Sequence, residues 1–490
     1  MTNIPIVSRF NPSRTRFGAI FGTNRRGKQL SWHDLAQNPE TLPRYVRQSP
    51  VAMRYLHLFG PLDWEHFPER DLQRNWGKQA VPYAAFAAAC LVKLDLGFTS
   101  MAQLRAYLLE HPALVSVLGF PLKRSSQYPW GFDVKASLPT HRHFTRILRT
   151  IPNQTLQFLL DSTVTCIQTE LAAIADDFGQ TISIDTKHII AWVKENNPKA
   201  YVKERYNKKK QPKGDPDCRL GCKRRRNQRA SSKEPPPTPR DNPVPADTIS
   251  IGEFYWGYGS GIAATKVPGW GEVVLAEWTQ PFDRPDVSYF FPLMQDVERR
   301  LGFRPRFGGF DAAFDAWYVY EYFHRDDEKG GFAAVPFSKR GGYQRSFDPE
   351  GLPLCQAGLS MPLKYLFRSK SGLFEHERGR YVCPLFFPEE TEQSCPVEHQ
   401  RWSKGGCTTT MPTSIGARIR YQLDRESQAY KDVYQQRTAT ERINAQAKEI
   451  GIERPKFRNG QAIANQNTLI YVLINLRAIQ RIRQRKADLL

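Results

Sequence analysis

The stretch Thr181–Val193, TISIDTKHIIAWV, is where the chain changes its pattern. A β-branched, apolar run of this kind reads as a strand, and Asp185 interrupts it. Aspartate is disfavoured within strands, so one flanked by apolar residues invites a functional reading. The competing reading is a strand-end aspartate making a turn bond. The choice depends on whether other elements supply Asp185 with acidic partners.

Before this stretch the pattern is helical. Residues 1–75 mix Pro, Arg and Trp with few periodic runs and read as an irregular arm with short helices. From Val81, Tyr83, Phe86, Ala87, Cys90, Leu91 and Leu94 recur at spacings of three and four, the period of a helix with one buried face. Ser100–Gln103 has the form of a capping box, another helix opens at Thr140, and a further one runs from about Gln154 to Ile174. Residues 76–178 are therefore expected to form a helical, DNA-binding region. Arg142, His143, Arg146 and Arg149 would offer phosphate contacts from an exposed face; plain support of the following domain is the alternative.

After it, Lys194–Asp247 is basic, Pro-rich and nearly free of apolar residues. Residues 195–247 accordingly read as a disordered insertion. Cys218 and Cys222 within it have no nearby ligand partners in sequence and carry no metal assignment. Thr248–Trp256 and Ile262–Val267 read as strands joined by a tight turn through Gly257, Gly259 and Gly261, and Glu272–Thr279 as a third. Asp286–Leu301 reads as a helix, Phe307–Asp311 as a short strand ending in Asp311, and Phe332–Pro336 as the next. Asp315 rivals Asp311, but it would open the helix from about Phe314 and cap it. This β–β–β–α–β–α order is the plan of an RNase H-like core, an α/β fold, here assigned to residues 179–337.

Residues 338–412 break that rhythm and read as a mostly β insertion carrying Cys355, Cys383, Cys395 and Cys407. Four cysteines are the ligand set of a structural zinc, with His376 and His399 as substitutes. Their spacings of 28, 12 and 12 contain no CxxC knuckle, which favours free thiols. Residues 413–490 return to the core and its C-terminal helices, the last over Asn465–Arg483, with a dimer contact as the alternative to packing on the core.

The net charge of +21 points to a polyanionic partner, nucleic acid before an acidic membrane surface. No apolar run reaches the roughly 18–20 residues of a membrane span, no secretory leader is visible, and eight scattered cysteines do not make a secreted disulfide framework. A cytoplasmic protein, nucleoid-associated when bound to DNA, is expected.

Asp185 finds its partners in Asp311 and in Tyr434–Lys448, YQQRTATERINAQAK. On a single helix Tyr434, Arg437, Glu441 and Lys448 would form one stripe roughly 60° wide. Val433, Ala439, Ile443, Ala447 and Ile450 would face the core. Three carboxylates on three separate elements suit Mg²⁺, a hard cation that takes oxygen ligands. Two such ions (or Mn²⁺) at Asp185, Asp311 and Glu441 could drive phosphodiester chemistry, with Arg437 and Lys448 holding phosphates.

These residues resemble the motifs of bacterial insertion-sequence transposases of the DDE type. One large branch carries Tyr-x2-Arg-x3-Glu-x6-Lys, met by Tyr434, Arg437, Glu441 and Lys448. Its second motif, Asp-x-Gly/Ala-Tyr/Phe, is met by Asp311, Ala313 and Phe314, and its first by Asp185 and Thr186. The resemblance spans roughly residues 80–480. It implies an RNase H-like catalytic core and metal-dependent DNA cleavage and strand transfer of a transposable element. It also implies a homodimer with double-stranded DNA, namely terminal inverted repeats and target DNA. Departures are the long basic stretch between the first two carboxylates and Thr186 directly after Asp185, where many relatives place a small residue. Two other readings are an RNase H-like endonuclease without strand transfer and a domesticated DNA-binding protein without catalysis.

Overall fold

The computed structural model describes residues 37–70, 80–223, 253–328, 330–338, 345–370, 372–397 and 401–489. Expectations for 1–36, 71–75, 224–247, the strand start at Thr248 and His399 lie outside the described residues.

The fold is mixed α/β around one curled sheet. Its strands are β1 (Thr181–Ile190), β2 (Arg219–Lys223), β3 (Glu253–Val267), β4 (Gly271–Pro281), β5 (Phe307–Gly309) and β6 (Phe332–Ala334). They lie in the order β4–β3–β1–β5–β6, and β2 extends the line of β4 along the same edge of β3. The first three are antiparallel neighbours, whereas β5 runs parallel to β1 and β6 parallel to β5.

Two expectations about these strands change. The glycines at 257, 259 and 261 do not turn the chain, because β3 runs unbroken through them. A Cβ at Gly257 would strike the Ile189 carbonyl, and at Gly259 and Gly261 it would strike the Tyr289 ring and hydroxyl. Glycine is needed there for close approach, a second use of the residue in strands. In addition, the basic stretch is structured as far as Lys223. β2 pairs with β3, the Trp256 indole donates to the Arg205 carbonyl at 2.7 Å, and the Tyr258 hydroxyl donates to buried Asp215 at 2.6 Å.

Before the sheet come α1 (Pro50–Phe59), α2 (Tyr83–Asp95), α3 (Met101–Glu110), α4 (Pro112–Val117), α5 (His141–Thr150) and α6 (Asn153–Leu171). Ser100 and Gln103 form the capping box, and Thr140 caps α5. The expected arm contributes α1, whose Tyr55, Leu56 and Phe59 are fully buried. Arg142, Arg146 and Arg149 lie on the exposed side of α5.

After β4, the 3-10 turn Asp286–Tyr289 leads into α7 (Phe290–Leu301), and α8 (Trp317–Phe323) follows β5. The insertion is a three-stranded antiparallel sheet of β7 (Leu363–Ser369), β8 (His376–Val382) and β9 (Thr408–Pro412). The chain returns through α9 (Gly416–Gln422), α10 (Gln428–Gln435), α11 (Thr438–Glu449) and α12 (Gly460–Leu489).

Helix α12 exceeds the expected Asn465–Arg483 and is buried on nearly every side, packed on α6, β4, α5 and α2. Its basic residues are used internally: Arg477 pairs with Asp95, and Arg483 and Lys486 pair with Glu170. Where β3 and β4 slip register, buried Asn475 receives the Val274 N–H and donates back to the Val274 carbonyl, both at 2.9 Å. A side-chain amide thus stands in for a missing strand neighbour.

Candidate active site

Strand β1 runs through Asp185 and continues five residues to Ile190, so Asp185 is not the strand-end residue of the competing reading, while its neighbour β5 stops at Gly309. The last pair between them is Ser183 with Gly309. Two residues on from that pair stand Asp185, still on β1, and Asp311, just past the end of β5, so the register brings the two residues level at the open end of β5. Asp311 caps the 3-10 turn Ala312–Phe314 by accepting from the Ala313 N–H at 2.9 Å.

The expected single helix over 434–448 is two. Helix α10 ends at Gln435, α11 begins at Thr438, and Arg437 stands at the corner as the N-cap of α11. The corner rests on β5: a Cβ at Gly309 would lie 2.7 Å from the Val433 carbonyl and 3.6 Å from the Arg437 nitrogen. Ala439, Ile443 and Ala447 are fully buried as expected, whereas Val433 and Ile450 are half-buried. Tyr434 stacks on Tyr430, and the Arg437 guanidinium lies 5.7 Å from the Tyr434 ring centre.

Glu441 is one helical turn beyond Arg437 and pairs with it at 2.6 Å, with half of its side chain exposed. The same guanidinium lowers the proton affinity of Asp185 and Asp311. One cation therefore faces all three expected carboxylates. Lys448 is exposed on the last turn of α11.

Burial, with added repulsion from Asp311, pushes the Asp185 carboxyl up to about 6, against favourable bonds from the Thr186 N–H at 2.8 Å and Asn444 Nδ2 at 2.9 Å. Burial also raises Asp311. The sequence reading missed two neighbours. Asp286, at the start of the turn before α7, is pushed up to about 6 by burial and by Asp311 and Asp185. Asn444 reaches Asp185 from α11, and its buried Oδ1 has no hydrogen-bond partner. A polar residue interrupting the core face Ala439–Ile443–Ala447 was the available signal for Asn444; Asp286 looked like an ordinary helix-opening residue.

The donor chemistry fits a hard divalent cation: two level carboxylates under-neutralised by one arginine, beside an orphaned amide oxygen. Yet among the described residues no group of three or more His, Cys, Asp or Glu side chains has the spacing to hold an ion. Glu441 in particular is held away by Arg437.

Asp315 neither caps a helix nor joins the site. Its fully buried carboxylate binds Arg420 through two contacts, the Ser338 N–H and the Tyr320 hydroxyl, and α8 begins only at Trp317. In the insertion, Cys383 and Cys407 flank the strand pair Val382–Thr408 and so face each other. Burial and the Cys383 and Cys355 sulfurs push the Cys407 thiol up to about 12. Cys395 lies in the loop between them, and His376 Nδ1 instead contacts the Phe374 carbonyl. All eight cysteines are free thiols, and this grouping does not reach zinc-ligand spacing.

Comparisons of the chain with protein-family models, with curated proteins and with solved structures found no match. Among the described residues, no helix is long and apolar enough to cross a membrane.

Proposed function

We propose that the chain is a DDE-type transposase with an RNase H-like core. The observation that carries this reading is the level placement of Asp185 and Asp311 at one end of the sheet, with the Arg437–Glu441 corner packed against β5 beside them. The strand order β4–β3–β1–β5–β6, three antiparallel strands followed by two parallel ones, supports it. So does the net charge of +21.

In this reading Asp185, Asp311 and Glu441 hold two Mg²⁺ or Mn²⁺ ions. When bound, the metal would supply charge stabilisation for an in-line displacement at phosphorus. Glu441 has to leave Arg437 to join the aspartates, and Arg437, freed, turns to a backbone phosphate of the DNA. Lys448 adds a second phosphate contact, and Tyr434 fixes the guanidinium by its ring face. Asn444 orients the Asp185 carboxylate. A 3′-hydroxyl exposed by cleavage would then attack a target phosphorus in line, losing its proton and forming the new phosphodiester as the target's own 3′-oxygen leaves and is protonated, in a complex of two protomers with paired element ends.

The test is incubation of the full chain with DNA carrying the terminal inverted repeats that flank its reading frame, in Mg²⁺ or Mn²⁺. Cleavage at the repeat ends followed by joined products is expected. Cutting without joining would leave the nuclease reading, and metal-independent binding without nicking would leave a non-catalytic DNA-binding protein.

A further inference from the structure

We propose that Asp286 is a fourth carboxylate of the divalent-cation site, working with Asp311 and Asp185. The proposal rests on the metal-dependent reading above and adds a ligand that its three motifs do not contain.

Placement comes from the backbone. Asp286 opens the 3-10 turn Asp286–Tyr289, which packs against the 3-10 turn Ala312–Phe314 that Asp311 caps. Across the sheet, Tyr289 fills the space left by Gly259 and Gly261, and the Thr186 methyl meets the same Gly259. Asp286 is thereby fixed beside the residue that follows Asp185. Thr186 and Asp185, being consecutive on a strand, point to opposite faces, so Asp286 and Asp185 approach from opposite sides. Asp311 lies beyond the end of β5, where no strand separates those sides.

A second observation points to a ligand. Asn444 is 8% exposed, its Nδ2 contacts Asp185 at 2.9 Å, and its Oδ1 is buried without a partner. A buried amide oxygen without a partner is costly to keep and is a ready ligand for a hard cation beside the carboxylates. Asp286, Asp311 and Asp185 repel one another, and Arg437 offsets only the last two, which leaves net negative charge at this end of the sheet. The three side chains are not at ion-sharing spacing in this structure, and a divalent ion would draw them together.

The test uses Mn²⁺ alone and the full chain, read by the paramagnetic resonance of free Mn²⁺ and by the metal-induced shift in melting temperature. Asp286→Asn keeps the shape and removes a repelled charge, so its metal-free melting temperature should not fall. Its Mn²⁺ affinity should drop by on the order of tenfold or more, with Asp286→Glu restoring part of it. Wild-type affinity in Asp286→Asn, with Asp311→Asn defective, would overturn this proposal alone. A lowered metal-free melting temperature with unchanged affinity would do the same, marking a structural role. No Mn²⁺ binding by the wild type would overturn it together with the metal-dependent reading.

Discussion

Arg437 donates to Glu441 Oε1 at 2.6 Å across one turn of α11 while its charge also reaches Asp185 and Asp311. The guanidinium thus stands where the metal-dependent reading needs cations, and it withholds the third carboxylate. Binding DNA would give Arg437 phosphate oxygens, to which it binds bidentately, and release Glu441 towards the aspartates.

Glu441→Ala should therefore abolish nicking while leaving DNA affinity within a few-fold of wild type. Loss of one ligand that stabilises transition-state charge is worth several kcal/mol, so cleavage should fall by about a thousandfold or more. Gel-shift and plasmid-nicking assays on the same preparation check both halves. Retained specific nicking would remove Glu441 from the site.

The raised carboxyls make a statement about stability without metal. Asp185 titrates at about 6 in the folded chain and near 3.9 when unfolded. Between those values the folded state binds the extra proton, so the contribution of Asp185 to stability falls as pH rises from about 4 to about 6 and stays low above. Asp185→Asn should thus raise the stability above pH 6 in chelator, by on the order of 3 kcal/mol, read as a higher melting temperature, and flatten that part of the pH profile. It should also lose cleavage. Calorimetry across pH 4–8 on both proteins gives the comparison.

Most strands of the sheet, and the placing of Asp185, Asp311 and Glu441 on three separate elements, were legible because they rest on local signals: the β-branched apolar run of β1, the short apolar run that ends at Asp311, and the apolar repeat Ala439–Ile443–Ala447. What escaped depends on contacts remote in sequence. The glycines of β3 read as a turn because the Tyr289 ring that needs them lies 28 residues past Gly261. The break at Gln436–Arg437 arises where the chain crosses β5, and no proline or glycine marks it. Asp286 looked like an ordinary opener of α7, since nothing nearby in sequence shows that Asp311 folds against it. Cys383 and Cys407 face each other only because β8 and β9 pair.

Gly309→Ala tests whether the helix corner is placed by close contact. The added methyl would lie 2.7 Å from the Val433 carbonyl, so either β5 or the end of α10 must move. Overpacking of this kind costs about 1–3 kcal/mol, and the shift carries Tyr434 and Arg437 with it. A lower melting temperature together with reduced cleavage is expected. A variant with wild-type activity would show that the corner's position is not critical to the chemistry.

Asp315 and Asp311, four residues apart, should separate cleanly in function. The Asp315 side chain is fully buried and its partner Arg420 is only 16% exposed, so Asp315→Ala leaves a buried guanidinium uncompensated. Breaking such a pair costs about 3–5 kcal/mol, and the Ser338 N–H and Tyr320 hydroxyl lose their acceptor as well. The Asp311 side chain accepts only from the nearby Ala313 N–H among the described residues, and its charge repels those of Asp185 and Asp286. Asp311→Asn, which keeps that acceptor, should fold with undiminished stability yet fail to cleave. Chemical denaturation and nicking assays on the two variants would show opposite patterns, and a stable, inactive Asp315→Ala would exchange the two assignments.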